Sequence, residues 1–377
     1  MKSLRRLPAS LVLVALVSAC TLPRGAAMQR EILKNADAET PSFAHYQIDS
    51  ALLKTIGGWP AGRSASVKRQ WLKGGRGTVG QVLAPGDKVA IAVWENGTNK
   101  LLSVNGAPSA QLQQMTISAK GTVFMPYVGP VKVSGLAPDV ARAKIEEQVS
   151  QFIPDAQIQL EAQPGQSNSV SIVGGVARPG AVPLVDRSTT VLGLISDAGG
   201  ALPSIENPQL RLQRGGQVYQ ISMRRVLDDP SLDAGVRPGD KLIVEKDPRT
   251  FLALGASGRE QVVPFPKDQV NALEAVTLVG GLNAMRADPK GVLILRQYAP
   301  AAVHADGLGG PTNQRVVFTI DLTTTDGLFS AQNFQVEPDD LVLATESPVN
   351  NVRTIVGLFS SVAAATNNAV KVENNLK

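Results

Sequence analysis

Val236-Arg-Pro-Gly-Asp-Lys-Leu-Ile-Val244 reads as a tight turn feeding an alternating strand, and the chain uses this phrase three times. It returns as Val336-Glu-Pro-Asp-Asp-Leu-Val-Leu-Ala344 and occurs earlier as Leu83-Ala-Pro-Gly-Asp-Lys-Val-Ala-Ile-Ala-Val-Trp94. Proline sets φ for the second turn position, glycine accepts a positive φ at the third, and aspartate can accept from nearby backbone N–H groups. Pro85, Gly86 and Asp87, like Pro238, Gly239 and Asp240, are therefore read as structural turns and not as ligand residues.

Upstream of the two later turns, the chain runs through matching series. Ser171-Ile-Val-Gly-Gly-Val-Ala-Arg-Pro-Gly180 opens one and Phe251-Leu-Ala-Leu-Gly-Ala-Ser-Gly258 the other. Each continues into an apolar helical stretch closed by Gly-Gly, at Val191–Gly200 and Ala272–Gly281. The Gly-Gly pairs are read as helix stops that need a left-handed residue, since they lack the spacing of a phosphate loop. A short strand ending on arginine comes next, Leu210–Arg214 or Val292–Arg296. An alternating strand follows, Val218–Ser222 or Val316–Asp321, before the closing turn. Five elements in the same order indicate two copies of one small β–α–β unit.

Residues 81–165 form a third unit. Val89–Trp94 predicts a strand, and Ala119-Lys-Gly121 a turn between Met115–Ser118 and Thr122–Pro126. Pro138–Phe152 predicts a helix with Val140, Ala141, Ile145, Val149 and Phe152 on one face, and Ala156–Ala162 a closing strand. The phrase Gly121-Thr-Val-Phe-Met-Pro-Tyr-Val-Gly-Pro130, followed by Val133-Ser-Gly-Leu136 and that helix, is specific.

The two ends carry membrane signals. Lys2, Arg5 and Arg6 precede the apolar run Leu11–Val17, which is shorter than the ~20 residues a permanent span needs. Small residues then lead to Cys20, the one cysteine in the chain. This is a cleavable secretory signal, and Leu16-Val17-Ser18-Ala19-Cys20 resembles a bacterial lipobox, which implies lipidation at Cys20. By the rules such lipoproteins follow, Thr21 after the cysteine implies sorting to the outer membrane.

At the other end, Val349–Lys377 projects as one amphipathic helix. Arg353, Ser360, Asn367, Lys371 and Asn374 fall on a polar stripe; Ile355, Leu358, Val362, Ala365 and Val372 make an apolar 3,4 repeat, widened by Phe359. Val352–Val372 would be ~31 Å long, close to a ~30 Å hydrocarbon core. A single copy would expose asparagine and serine to lipid, which is costly. A ring of copies turns those stripes to a water-filled lumen, with the apolar faces toward lipid or neighbouring helices. On the residues alone, a helix lying flat at the interface, one packed on a soluble domain and a coiled coil remain open.

The formal charge is +5, but three of the positive residues lie in the signal, leaving the mature chain near +2. Aromatic residues make up only 4%, too few for base stacking, so nucleic acid is not an expected partner. The two histidines, His45 and His304, are distant and lack metal-ligand spacing; no metal or cofactor is expected. Asp228-Asp229 and Asp339-Asp340 sit by turns, are expected to be solvated, and make no glycosidase pair, since adjacent strand residues point to opposite faces.

Taken together, residues 81–165 resemble a polysaccharide biosynthesis/export domain, and the two repeats resemble SLBB domains (soluble-ligand-binding β-grasp). With the lipobox and terminal helix, the layout is similar to the Wza-like outer-membrane polysaccharide export family. The expected fold is α+β, with several small β-rich domains followed by the C-terminal helix. The expected layout is a signal peptide at 1–19, an extended arm at 20–80, the export domain at 81–165, SLBB domains at 168–246 and 249–346, and the helix at 347–377. The arm holds Leu22-Pro-Arg-Gly-Ala26 and a Gly- and Lys/Arg-rich stretch from Gly57 to Gly80, with little periodicity. The resemblance implies an octameric α-helical barrel in outer-membrane lipid, no enzyme activity, and export of capsular polysaccharide or exopolysaccharide. It also implies an inner-membrane polysaccharide co-polymerase as partner, with Met125, Pro126, Tyr127 and Val128 near that end. The competing readings are a periplasmic polysaccharide-binding scaffold lipoprotein without a pore, and a glycan-cleaving enzyme.

Overall fold

The computed structural model describes residues 26–349, apart from 35, 37–40, 64–69, 76, 78–79, 95–108 and 112–113, together with residue 360. The chain divides into two compact units. Residues 67–247 form one; residues up to 66 and from 248 onward form the other.

The N-terminal segment is more ordered than an extended arm. It forms α1 (Gln29–Ile32), β1 (Ala44–Gln47) and α2 (Ser50–Ile56). The Asp49 carboxylate accepts from the Leu52 N–H at 2.7 Å and caps α2, satisfying an otherwise orphaned donor.

The 67–247 unit begins with β2 (Lys88–Trp94), β3 (Ser109–Gln111), β4 (Met115–Thr116), β5 (Thr122–Met125), β6 (Gly129–Lys132), α3 (Pro138–Val149) and β7 (Gln157–Gln163). Strand β2 is antiparallel to β7 along its whole length, from Lys88 opposite Gln163 to Trp94 opposite Gln157, and takes β3 and β4 on its other edge. Its side chains alternate, so Val89, Ile91 and Val93 enter the core. Ala141, Ile145 and Val149 of α3 close over them, while Val140 and Phe152 are exposed. Val140 lies 100° around the helix from Ala141, and the helix ends at Val149, before Phe152. The turn at 118–122 is present, with the Ser118 N–H donating to the Thr122 carbonyl. The hairpin ladder, however, is between β5 and β6, with Met125 opposite Gly129.

The first repeat contributes β8 (Ser169–Gly174), β9 (Gly180–Pro183), α4 (Val191–Asp197), β10 (Gln209–Arg214), β11 (Gln217–Ser222), α5 (Met223–Asp228) and β12 (Lys241–Glu245). Its sheet runs β11-β10-β12-β8-β9. The second repeat, in the other unit, contributes β13 (Thr250–Gly255), β14 (Gln261–Pro264), β15 (Val270–Asn271), α6 (Ala272–Leu278), β16 (Ala287–Gln297), β17 (Arg315–Ile320), α7 (Thr325–Asn333), β18 (Gln335–Val336) and β19 (Leu341–Glu346). Its sheet runs β1-β17-β16-β19-β13-β14. Without β1, the two orders correspond strand for strand. In each, the first and last strands are the parallel pair, β8 with β12 and β13 with β19, and the other pairings are antiparallel.

Helices α4 and α6 start on side-chain caps, Thr190 and Asn271, and α6 adds a capping box through Glu274. Both helices stop at the Gly-Gly pairs, whose φ values are all positive. The second core is aromatic: Phe251, Phe265, Phe318 and Phe334 are fully buried, with Phe318 and Phe334 centroids 4.9 Å apart. Each such side chain stabilises by about 1.5–3 kcal/mol relative to exposure.

The N-terminal segment completes both repeats. Strand β1 adds in parallel to β17, Ala44 opposite Val316, and Trp59 packs edge-on against Tyr46 and Tyr298. In the other unit, Trp71 Nε1 donates to the Leu232 carbonyl at 2.7 Å, and Gly75 forms a parallel bridge with Ala234.

Candidate functional site

Each of the three repeated turns holds a deeply buried carboxylate. Asp87, Asp240 and Asp340 are 0%, 2% and 1% exposed. In each turn the aspartate N–H donates back to the residue three before it, Ala84, Arg237 or Glu337. In each, one carboxylate oxygen accepts the N–H of that same residue, at 2.8 Å. The third turn position is left-handed in all three. Gly86 (φ 92°) and Gly239 (φ 83°) take it freely, but Asp339 (φ 63°) carries a side chain there.

What neutralises each aspartate differs. Asp87 accepts from the Gly165 N–H at 2.7 Å and the Asn168 side-chain amide at 3.3 Å. It thus ties the export-like fold to the start of the first repeat. Asp240 takes a bidentate pair from Arg214, at the end of β10, with contacts of 2.9 and 2.6 Å. Asp340 takes the same pair from Arg296 on β16, at 3.0 and 2.7 Å. Each arginine also donates to a backbone carbonyl at 2.7 Å, Gly235 or Gln335. The conserved geometry explains why both short strands close on arginine. Arg296 is further pinned by Glu337 at 2.8 Å and by the faces of Phe334 and Phe318, 5.2 and 5.6 Å from its guanidinium. Burial disfavours the charged guanidinium, but the Asp340 and Glu337 carboxylates outweigh it and raise its pKa above the ordinary arginine value.

These findings correct one sequence expectation. Asp228, Asp229 and Asp339 are exposed, but Asp340 is buried against Arg296. A carboxylate whose oxygens are occupied by an arginine and a backbone N–H serves neither as acid nor as nucleophile; it is a clamp. Pro85, Gly86, Asp87, Pro238, Gly239 and Asp240 sit in such turns. His45 is exposed with Nε2 2.8 Å from Thr319 Oγ1, and His304 is exposed on a separate loop. Among the described residues, no group of three or more His, Cys, Asp or Glu side chains is placed to hold a metal ion.

The Met125–Val128 segment splits. Met125 is fully buried, while Tyr127 sits exposed at the hairpin tip with a left-handed backbone (φ 67°), near exposed Phe124. Cys20, Arg353, Asn367, Lys371 and Asn374 lie outside the described residues, as do Ile355, Leu358, Phe359, Val362, Ala365 and Val372. Ser360 is helical and exposed. Among the described residues no helix is long and apolar enough to cross a membrane.

Two tandem β-grasp-like repeats behind a small β-rich domain, locked by buried turn carboxylates, define a modular scaffold. A profile described as "Polysaccharide biosynthesis/export protein" matches residues 78–163, and one described as "SLBB domain" matches residues 168–244. The chain is 28% identical over 318 residues to the capsule polysaccharide export protein BexD of Haemophilus influenzae, covering 78% of this chain and 79% of that protein. It is 25% identical over 381 aligned residues to the capsule polysaccharide export outer membrane protein CtrA of Neisseria meningitidis serogroup A, covering 95% and 96%. It is 25% identical over 366 residues to the EPS I polysaccharide export outer membrane protein EpsA of Ralstonia solanacearum, covering 90% of each. The chain thus carries a polysaccharide biosynthesis/export domain and an SLBB domain, and over most of its length it is similar to capsule and exopolysaccharide export proteins of the outer membrane.

Proposed function

We propose that this chain is an outer-membrane lipoprotein, acylated at Cys20, whose copies assemble into a channel exporting capsular polysaccharide or exopolysaccharide. The bulk of the chain faces the periplasm. The observation that carries this reading is a hydrogen bond of 3.1 Å from the Glu346 N–H to the Ala27 carbonyl, inside one compact unit. Ala27 is seven residues from Cys20, and Glu346 immediately precedes the 347–377 segment. Seven residues reach at most about 25 Å, so a lipid on Cys20 and the terminal segment address the same membrane surface. The exit is held firmly. Glu346 is buried and pairs with Arg286 at 2.7 Å, and the Ser347 N–H donates to the Arg286 carbonyl at 2.8 Å.

In this reading no bond is broken. Ser360, Asn367 and Asn374 line a wet lumen with Arg353 and Lys371, and exchange weak hydrogen bonds with a hydrated sugar chain without trapping it. Ile355, Leu358, Phe359, Val362, Ala365 and Val372 face lipid or neighbouring helices. The relatives named above are export proteins, which supports a transported polymer. An inner-membrane polysaccharide co-polymerase is the proposed partner of the 81–165 domain.

Deleting residues 349–377 tests the proposal. Surface polysaccharide is expected to disappear while the truncated protein still folds and fractionates with membranes. Export persisting after the deletion refutes the channel and leaves a scaffold lipoprotein.

A further inference from the structure

The described residues from Trp71 to Gly77 form a strap laid against the first repeat. Gly74 and Gly77 make this approach possible. A Cβ at Gly74 would lie 2.3 Å from the Ser231 carbonyl oxygen, and one at Gly77 would lie 2.2 Å from that of Arg187. The Gly235 N–H donates to the Gly75 carbonyl at 3.1 Å and fixes the strap. Beneath it is a cavity of about 500 Å³. Lys73, Arg187, Arg214 and Arg237 line it, and among the described residues no acidic side chain does.

The charges are unequal in their commitments. Arg214 is neutralised by Asp240, the clamp described above. Lys73, Arg187 and Arg237 are exposed and have no anionic side-chain partner among the described residues. Leu72, Val236 and Pro238 supply apolar wall beside them. Three uncommitted cations around a roomy, partly apolar hollow suit an organic anion. Guanidinium groups offer paired donors to a carboxylate or phosphate.

The second repeat shows what a closed version looks like. There Glu337 occupies the turn position held by Arg237, and it pairs with Arg296. The passing backbone adds the Gly62 N–H to the same carboxylate. There the turn residue is an acid paired within the chain, whereas Arg237 has no anionic side-chain partner among the described residues.

We infer that the cavity over the first repeat binds an anionic saccharide unit, through Arg187, Arg237 and Lys73. A uronate carboxylate and a sugar phosphate present the same chemistry to these groups. That the saccharide is part of the exported polymer rests on the transport reading; the anion preference of the cavity does not.

Titration calorimetry of the full-length, detergent-extracted protein tests the inference, using trigalacturonate, glucose 1-phosphate and neutral maltotriose as probes. At least one acidic probe is expected to bind and maltotriose is not, with affinity falling as salt is raised. Which acidic probe binds identifies the carboxylate or the phosphate as the recognised group. The double variant Arg187→Gln/Arg237→Gln is expected to lose about tenfold to a hundredfold in affinity, the range for charge-assisted hydrogen bonds. Arg237→Glu, which copies the second repeat, is expected to abolish binding. Arg224→Gln, outside the cavity's lining and paired with Asp228, should bind as the parent does. Unchanged thermal transitions confirm that these surface variants fold. Equal binding of maltotriose and the acidic probes, or parental affinity in the double variant, overturns the assignment and leaves the transport reading standing. If no probe binds and Arg237→Glu instead dissociates the oligomer, the cavity belongs to a neighbouring copy and the saccharide assignment falls. Loss of export on removing residues 349–377 is a separate readout and does not bear on this one.

Discussion

Replacing Arg296 with methionine is expected to be among the most damaging single changes in the second repeat. Methionine keeps most of the side-chain volume, so little cavity forms and electrostatics dominates. The change removes a bidentate pair to Asp340, an ion pair to Glu337 and the donor to the Gln335 carbonyl. Asp340 then retains a backbone donor from Glu337 but no cation, while staying buried. Stripping one partner from a buried pair costs about 3–5 kcal/mol, because the remaining charge is left uncompensated. Adding Asp340→Asn removes that charge and keeps an oxygen for the Glu337 N–H, so the double variant is expected to recover about 2 kcal/mol of the loss. Urea unfolding followed by tryptophan fluorescence reads this directly. The chain has three tryptophans, and in a Trp71→Phe/Trp94→Phe background Trp59 alone reports on the second core. A cost below about 1 kcal/mol for Arg296→Met, or a double variant no more stable than the single, refutes the account of the clamp.

Asp339→Gly should stabilise the same repeat by about 0.5–1 kcal/mol, because glycine takes the left-handed turn position without its steric penalty; an unchanged unfolding midpoint counts against strain there. Cys20→Ser is expected to move the protein from the membrane to the soluble fraction or impair assembly, and unaltered fractionation argues against acylation. Leu358→Asp should block insertion at a cost of a few kcal/mol per chain, whereas Asn367→Ala should be tolerated. Equal export by those two variants removes the assignment of lipid and lumen faces.

The repeats were legible because their signals are local. A Pro-Gly-Asp turn, an apolar helix and a Gly-Gly stop each declare themselves within ten residues. The helix face Ala141, Ile145 and Val149 followed from spacing alone. What escaped depends on distance. Arg214 and Asp240 are 26 residues apart, and Arg296 and Asp340 are 44 apart. Local composition therefore read Asp340 as a solvated loop acid. Strand β1 is only four residues long, and its partner lies near the other end of the chain. The β5–β6 hairpin hid because Tyr127 holds a positive φ that sequence rules assign to glycine or asparagine. The cationic cavity needed the strap and the Arg187 and Arg237 loops brought together, which no linear motif announces.

The pairing of β1 with β17 has a consequence for biogenesis. The strand's partner lies far along the chain, so a chain that stops before β17 has nowhere to dock its front end. The 67–247 unit can mature while the flanking pieces wait for each other. Only a chain that reaches β17 closes the second repeat's sheet with β1.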